Sequence, residues 1–469
     1  MPFYEMLEAD GAIRDCYAQV QQWVDDTGIA GLNRRLEEAE AIFRRIGITF
    51  AVYGEGGDPE RLIPFDLLPR IFTAAEWRVL DTGIRQRARA LNAFLHDVYH
   101  RGEIIRAGII PADIVYRNAA YRPEMVGFSP PGKVYSHIVG IDIVRTGPRD
   151  FEVLEDNCRT PSGVSYMLEN REIMTRMFPD LFAQGLVAPV DDYPDQLLAT
   201  LKEVAPPACK GDPVVVVLTP GPLNSAYYEH SYLADLMGVE LVEPADLFVD
   251  EGRVWMKTTH GPQVVDVIYR RIDDDYLDPL TFRPDSMLGI PGIFHAYRSG
   301  GVTLCSAPGA SVADDKAVYI YVPEMIRFYL GETPILSNIQ TWQCADPQEC
   351  AYVLDNLADL VVKEVHGSGG YGMLIGPKST RDEIDAYAER IRAAPEQFIA
   401  QPTLDLSTVP ILGPASIVGR HADFRPFCLV GKQIRLVPGG LTRVALTEGS
   451  LVVNSSQGGG VKDSWVMQD

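Results

Sequence analysis

The residues best equipped for chemistry fall in two stretches far apart in the chain. The first, LEDNCRTPSG, places Glu155 and Asn157 two residues apart near a predicted strand end. Strand alternation puts both side chains on one face. Asp142 lies thirteen residues before Glu155, on the strand across a Gly147-Pro148 turn. Two carboxylates and an amide oxygen make a hard, oxygen-rich set suited to Mg2+, which keeps several waters and bridges phosphates. A solvated acidic turn is the other reading of these residues. The second stretch, LVVKEVHGSGGYGMLIG, runs from Leu360 to Gly376. Lys363 lies near the end of its first apolar run. Gly367, Gly369, Gly370 and Gly372 follow, and three of them spell G-x-G-x-x-G.

A dinucleotide fingerprint needs a strand, the glycines and then a helix whose N-terminus holds a pyrophosphate. Here the glycines lead into MLIGP, which is too short for a helix. Strand, glycine turn and strand is the better prediction. Such a hairpin can fold over a nucleotide with its amides toward the phosphates. A protein kinase would place its lysine after the loop and carry H-R-D and D-F-G beyond it. This chain has neither triplet, and Lys363 precedes the glycines. An ordinary glycine-rich hairpin remains the plain alternative.

These residues must be positioned by a large fold. The chain has 469 residues, 46% hydrophobic and 23% charged, which suits a soluble globular protein of two or three domains. Its N-terminus lacks a basic start followed by an apolar core, and no window is apolar enough to span a bilayer, so neither a secretory signal nor membrane partnership is expected. The net charge of −22 would repel a phosphate backbone, so nucleic acid is not an expected partner. A small anion held by local cations and amides is compatible with it. Seven scattered cysteines without C-x-x-C read as reduced thiols of a cytoplasmic protein.

Three regions are predicted. Residues 1–185 combine a mostly helical start, up to about residue 100, with the strand–turn–strand that carries Asp142, Glu155 and Asn157. Residues 186–312 alternate apolar strands with a helix, NSAYYEHSYLADLMG among them, and suggest a small, mainly parallel α/β layer. Ser225 is placed to cap that helix, whose N-terminus is also suited to an anionic substrate group. Residues 313–469 begin with a helix kinked at Pro323. LVVKEV, GMLIG, QFIAQ, DFRPFCLVG and QIRLVPGGLTRVAL follow as strands. The tail NSSQGGGVKDSWVMQD is disordered on its composition. YRRIDDDYLDP sets Arg270 and Arg271 at a strand's carboxyl end, either as a clamp for a substrate carboxylate or as part of an internally paired strand exit. Neither G-x-S-x-G nor a His/Cys zinc spacing is present.

Taken together, EDNCRTPSGVSY, LTPGPLNSAYYEH, YRRIDDDYLDP, ADDKAVYIYVPEMI, GSGGYGM and GGLTRVAL resemble the motifs of the circularly permuted ATP-grasp family (type 2), related to glutathionylspermidine synthase. The metal motif precedes both lysines, the order a circular permutation produces. The resemblance runs from about residue 40 to the C-terminus. It implies an α/β ATP-grasp fold with a Rossmann-like layer, and ATP and Mg2+ as cofactors. Lys316 and Lys363 would hold the phosphates, Gly367 to Gly372 would close over them, and Gln401 would bond the adenine. Asp142, Glu155 and Asn157 would carry Mg2+, and Arg443, with Arg425 beside it, would neutralise the transferring phosphoryl group. Arg159, Ser162, Asn224, Arg270 and Arg271 are the substrate-side candidates. One departure is Gly140, two residues before Asp142, where the glutathionylspermidine synthase pattern has arginine. The implied activity is amide formation between a small-molecule carboxylate and an amine through an acyl phosphate. A nucleotide-binding module without turnover, working beside an alpha-E or transglutaminase-like protein, is the second reading. An NAD-dependent oxidoreductase, resting on the glycines alone, is the third.

Overall fold

Phe65–Phe72, FDLLPRIF, is a strand buried along its whole length. It lies inside the region expected to be mostly helical, and its charges explain why the pattern misled. Asp66 pairs with Lys462 at 2.9 Å and Arg70 with Glu5 at 2.6 Å, so polar residues sit where a core strand ordinarily carries apolar ones. Its parallel neighbour is Gly460–Val466. This strand corrects the expectation of a disordered tail: all seven of its residues are buried. Asp463 accepts from Arg171 at 2.8 Å and from the Trp465 indole at 2.7 Å, which satisfies the charge that made the segment read as solvated. The chain is described here from a computed structural model covering residues 2–46, 49–51, 60–367, 372–453 and 458–468.

Both strands belong to a sheet of ten strands among the described residues. From one edge it runs Ser337–Asn338, Phe151–Asn157, Ile138–Arg145, Ile417–Arg425, Leu441–Val444, Gly460–Val466 and Phe65–Phe72. Thr408–Leu412 adds to Ile417–Arg425, Phe427–Val430 to Ile138–Arg145, and Ile434–Leu436 to Phe427–Val430. The predicted strand–turn–strand is thus central, with Asp142 opposite Glu155 and Gly140 opposite Asn157. A register shift follows Asp142, a bulge of the kind that re-aims a side chain. The long helix Ala74–Val98 starts at a capping box, with Thr73 and Glu76 bonding each other's backbone amides.

Val215–Leu218, Glu240–Val242, Val267–Arg270 and Thr303–Cys305 form a separate, all-parallel sheet, as the alternation of apolar strands and helix suggested. All four fall within residues 186–312, the second region proposed from sequence. Residues 313–469 serve two layers. Part completes the ten-stranded sheet. The rest forms a small lobe in which Trp342–Gln343, Phe398–Pro402, Leu360–Glu364 and Leu374–Ile375 make an antiparallel sheet. Val353, Leu357, Val362, Leu374 and Ile391 give this lobe its own core. The stretch around Pro323 breaks into Lys316–Tyr319, Val322–Met325 and a π turn at Ile326–Leu330. Among the described residues no helix is long and apolar enough to cross a membrane.

Candidate functional site

The small lobe faces the ten-stranded sheet across a cavity of about 570 Å3, within the usual size of small-molecule sites. Lys316, Lys363, Arg159, Arg425 and Arg443 line it, together with Asp142, Glu155, Asn157, Ser162, Gly367 and Gln401. Five cations therefore gather in one cavity of a chain whose net charge is −22.

The strands dictate this convergence. Asp142 and Glu155 are cross-strand partners, and Asp423 and Arg443 are partners two strands further on. Arg425 grips both oxygens of Asp142, and Arg443 bridges Asp142 at 2.7 Å to Asp423. Burial raises the Asp142 carboxyl, but the two guanidiniums outweigh it and hold the group below the usual carboxylate range. Asp142 was expected to present its oxygens to a metal; here both accept from arginines. Glu155 is freer: it stands 3.8 Å from Lys316 and 3.8 Å from Arg425, and lines the cavity. Asn157, on the same strand face, has a buried amide nitrogen without a partner. Glu155 and Asn157 both line the cavity and bring a carboxylate and an amide oxygen to it, and Asp142, whose Oδ2 already accepts from both arginines, can back them through Oδ1 alone. This fits Mg2+.

Lys316 opens its helix after Asp315, whose carboxylate accepts from the Ala317 amide at 2.7 Å. Its ammonium reaches the Gly367 carbonyl across the cavity. Lys363 projects from Leu360–Glu364 and donates to Gln401 Oε1 at 2.7 Å. The other end of that amide donates to Thr341 at 3.0 Å. Gln401, expected to bond adenine, lines the cavity with its side-chain amide set between Lys363 and Thr341. Burial lowers the Lys363 ammonium to about 8, partly opposed by Glu155.

The strands on either side of the glycine stretch pair antiparallel. Val361 pairs with Ile375 and Val362 with Leu374, so a strand follows the turn. That arrangement removes the helix a dinucleotide fingerprint requires. Gly372 has φ +68°, a left-handed conformation in which a side chain is strained. Gly369 and Gly370 lie outside the described residues.

On the substrate side the structure separates the candidates. Arg159 and Ser162 line the cavity. Arg159 pairs with Asp273 at 3.0 Å, and its buried Nε has no partner. Arg270 and Arg271 are not among the lining residues. Arg270 pairs with Asp274 at 2.5 Å and bonds the Ser306 carbonyl, whereas Arg271 pairs with Glu229 at 3.1 Å and bonds the Pro161 carbonyl. Both are buried braces, which favours the internally paired reading of that stretch. Asn224 accepts from the Ala226 amide at 2.9 Å in the turn before the helix Tyr227–Met237, which has no side-chain cap, and Ser225, expected to cap it, lines the cavity instead. Asp314 was missed from sequence. It accepts from the Cys158 and Arg159 amides, and burial raises it to about 7. Only its place two residues before Lys316 hinted at the site.

A family model, circularly permuted ATP-grasp type 2, matches residues 69–445. The chain belongs to this ATP-grasp family. A protein of Synechocystis sp. is 52% identical over 468 residues, covering 99% of this chain and 97% of its own length. One of Mycobacterium tuberculosis is 49% identical over 468 residues, covering 100% of this chain and 84% of its own. A Frankia casuarinae protein with the provisional name glutamate–cysteine ligase 2-2 is 42% identical over 465 residues, but those residues span 53% of its length. The solved structure of a glutathione synthetase-like effector from Globodera pallida superposes with a TM-score of 0.60 at 11% identity, covering 92% of this chain and 96% of that one. It shares the fold.

Gly140, the departure from the glutathionylspermidine synthase pattern, sits where a side chain has no room. A Cβ there would sit 2.7 Å from Pro161 Cβ and 3.4 Å from Arg425 Cδ. The space beside Asp142 is already filled by an arginine from a neighbouring strand.

Proposed function

We propose that this ATP-grasp protein is an ATP- and Mg2+-dependent carboxylate–amine ligase. The observation that carries the reading is the gathering of Lys316, Lys363, Arg425 and Arg443 around Glu155 and Asn157 in one cavity. Lys316 and Lys363 hold the ATP phosphates as point charges, exchanging the Gly367 carbonyl and Gln401 for phosphate oxygens. The γ-phosphoryl group passes to a substrate carboxylate oxygen, giving ADP and an acyl phosphate. An amine then attacks the acyl carbon, phosphate leaves, and the amine nitrogen loses a proton as the amide forms. Arg443 and Arg425, fixed by Asp142 and Asp423, face the charge that develops on the transferring group. Glu155 and Asn157, with Asp142 behind them, would hold Mg2+. Bound there, Mg2+ supplies charge neutralisation at the phosphate oxygens. Water must be kept from the acyl phosphate, and the glycine-rich segment between the paired strands is what we assign to that.

The substrates are a small carboxylate and an amine; a peptide-like or polyamine product, and an alpha-E or transglutaminase-like partner, follow from the family resemblance. The provisional ligase name of the Frankia relative fits this class, although this chain matches about half of that protein. Seven free cysteines fit a reducing compartment, and we place the protein in the cytoplasm.

Hydroxylamine serves as a general amine for the test. Incubation with ATP, Mg2+ and a panel of carboxylates is expected to give a hydroxamate and stoichiometric ADP. Arg443→Ala should lower the rate about 100- to 1,000-fold. ATP binding without any carboxylate-dependent ADP release would instead support the silent nucleotide-binding module.

A further inference from the structure

Arg87 lies outside the cavity, midway along the Ala74–Val98 helix, and is 1% exposed. Its Nε and Nη2 bond the two oxygens of Asp156 at 2.6 and 2.7 Å. Asp156 is the residue between Glu155 and Asn157. Strand alternation sends its side chain away from the cavity, and it is 2% exposed. The third guanidinium nitrogen donates to Asn338 Oδ1 at 2.7 Å. Asn338 in turn donates to the Tyr319 carbonyl at 2.8 Å. The Arg87 guanidinium also stands 5.5 Å from the centre of the Tyr319 ring. Tyr319 ends the helix that Lys316 begins, and its hydroxyl donates to Val153 on the Glu155 strand.

We infer that Arg87 is a positioning residue for the nucleotide site. One buried guanidinium joins three elements: the strand bearing Glu155 and Asn157, the helix bearing Lys316, and the Ser337–Asn338 strand just before the small lobe. The planar fork suits this task, because two nitrogens fix the orientation of Asp156 while a third reaches a different element. Gln86, next in the helix, reinforces the last of these: it donates to the Thr333 carbonyl at 2.9 Å and accepts from the Ile335 amide at 3.0 Å. The metal-facing carboxylate and the phosphate-facing lysine are therefore held in one relative placement by a residue that touches neither ligand. This inference rests on the nucleotide reading of the cavity.

The test is calorimetric binding of ATP, with and without Mg2+, to wild type, Arg87→Lys and the double variant Arg87→Met/Asp156→Leu. Removing both charges avoids an unpaired buried ion, so the double variant keeps the fold testable. It should melt close to wild type yet lose about tenfold or more of the affinity that Mg2+ adds, with a smaller loss for ATP alone as the Lys316 helix is released. Arg87→Lys should recover little of that Mg2+-dependent affinity, since an ammonium cannot make all three bonds in the same plane. Wild-type Mg2+-dependent affinity in a stably folded double variant would overturn the inference and leave Arg87 a structural ion pair. Failure of wild type itself to bind ATP would remove the nucleotide reading, and this inference with it.

Discussion

Burial lowers the Lys363 ammonium to about 8 against the pull of Glu155. The group is charged below that pH and neutral above it. ATP affinity is therefore predicted to fall as pH rises through about 8, and Lys363→Arg, which stays charged, should flatten the profile. Dissociation constants measured from neutral to alkaline pH decide the matter; a wild-type profile matching the variant would remove Lys363 from the phosphates. The stability effect has the opposite sign. The unfolded chain binds the extra proton between about 8 and 10.5, so this lysine makes stability rise with pH in that window. Lys316, Lys363, Glu155 and Asn157 were legible in sequence because each sits in a short motif. Asp423, Asp314 and Arg87 were not, because their roles come from partners: Arg87 meets Asp156 from 69 residues away.

Strands carry the site, and their spacing tolerates little change. Gly140 lies against Pro161 and Arg425, so Gly140→Ala forces one of them aside. The expected cost is about 1–3 kcal/mol in thermal or urea unfolding, together with weaker ATP binding as Arg425 shifts from Asp142. An unchanged melting temperature would show that the close approach is not needed. The strands flanking the glycine stretch and the parallel layer were readable from apolar runs and the residues that interrupt them. Phe65–Phe72 and Gly460–Val466 were not, because Asp66, Arg70, Lys462 and Asp463 disguise buried strands. A local pattern does not reveal that each charge finds its counter-ion on a distant segment.

At the scale of the whole molecule, the N-terminal segment is tied to the sheet by Glu5. This fully buried carboxylate bonds Arg70 at 2.6 Å and Ser407 at 2.6 Å, and stands 3.6 Å from Arg145. Burial raises its pKa, but Arg70 and Arg145 outweigh that and hold it at about 2. Its contribution is present above the ordinary carboxylate range and is lost as pH falls toward 2. Glu5→Gln should cost about 3–5 kcal/mol near neutral pH and flatten part of the acid limb of the unfolding curve. On the proposed function, the small lobe and the ten-stranded sheet enclose a Mg2+-ATP site. Its most direct measurement is calorimetric titration of ATP, with and without Mg2+, into wild type and Lys316→Ala/Lys363→Ala. Wild type should show Mg2+-enhanced binding that weakens about 100-fold or more in the folded double variant. Equal binding by both proteins, or none by folded wild type, would contradict it.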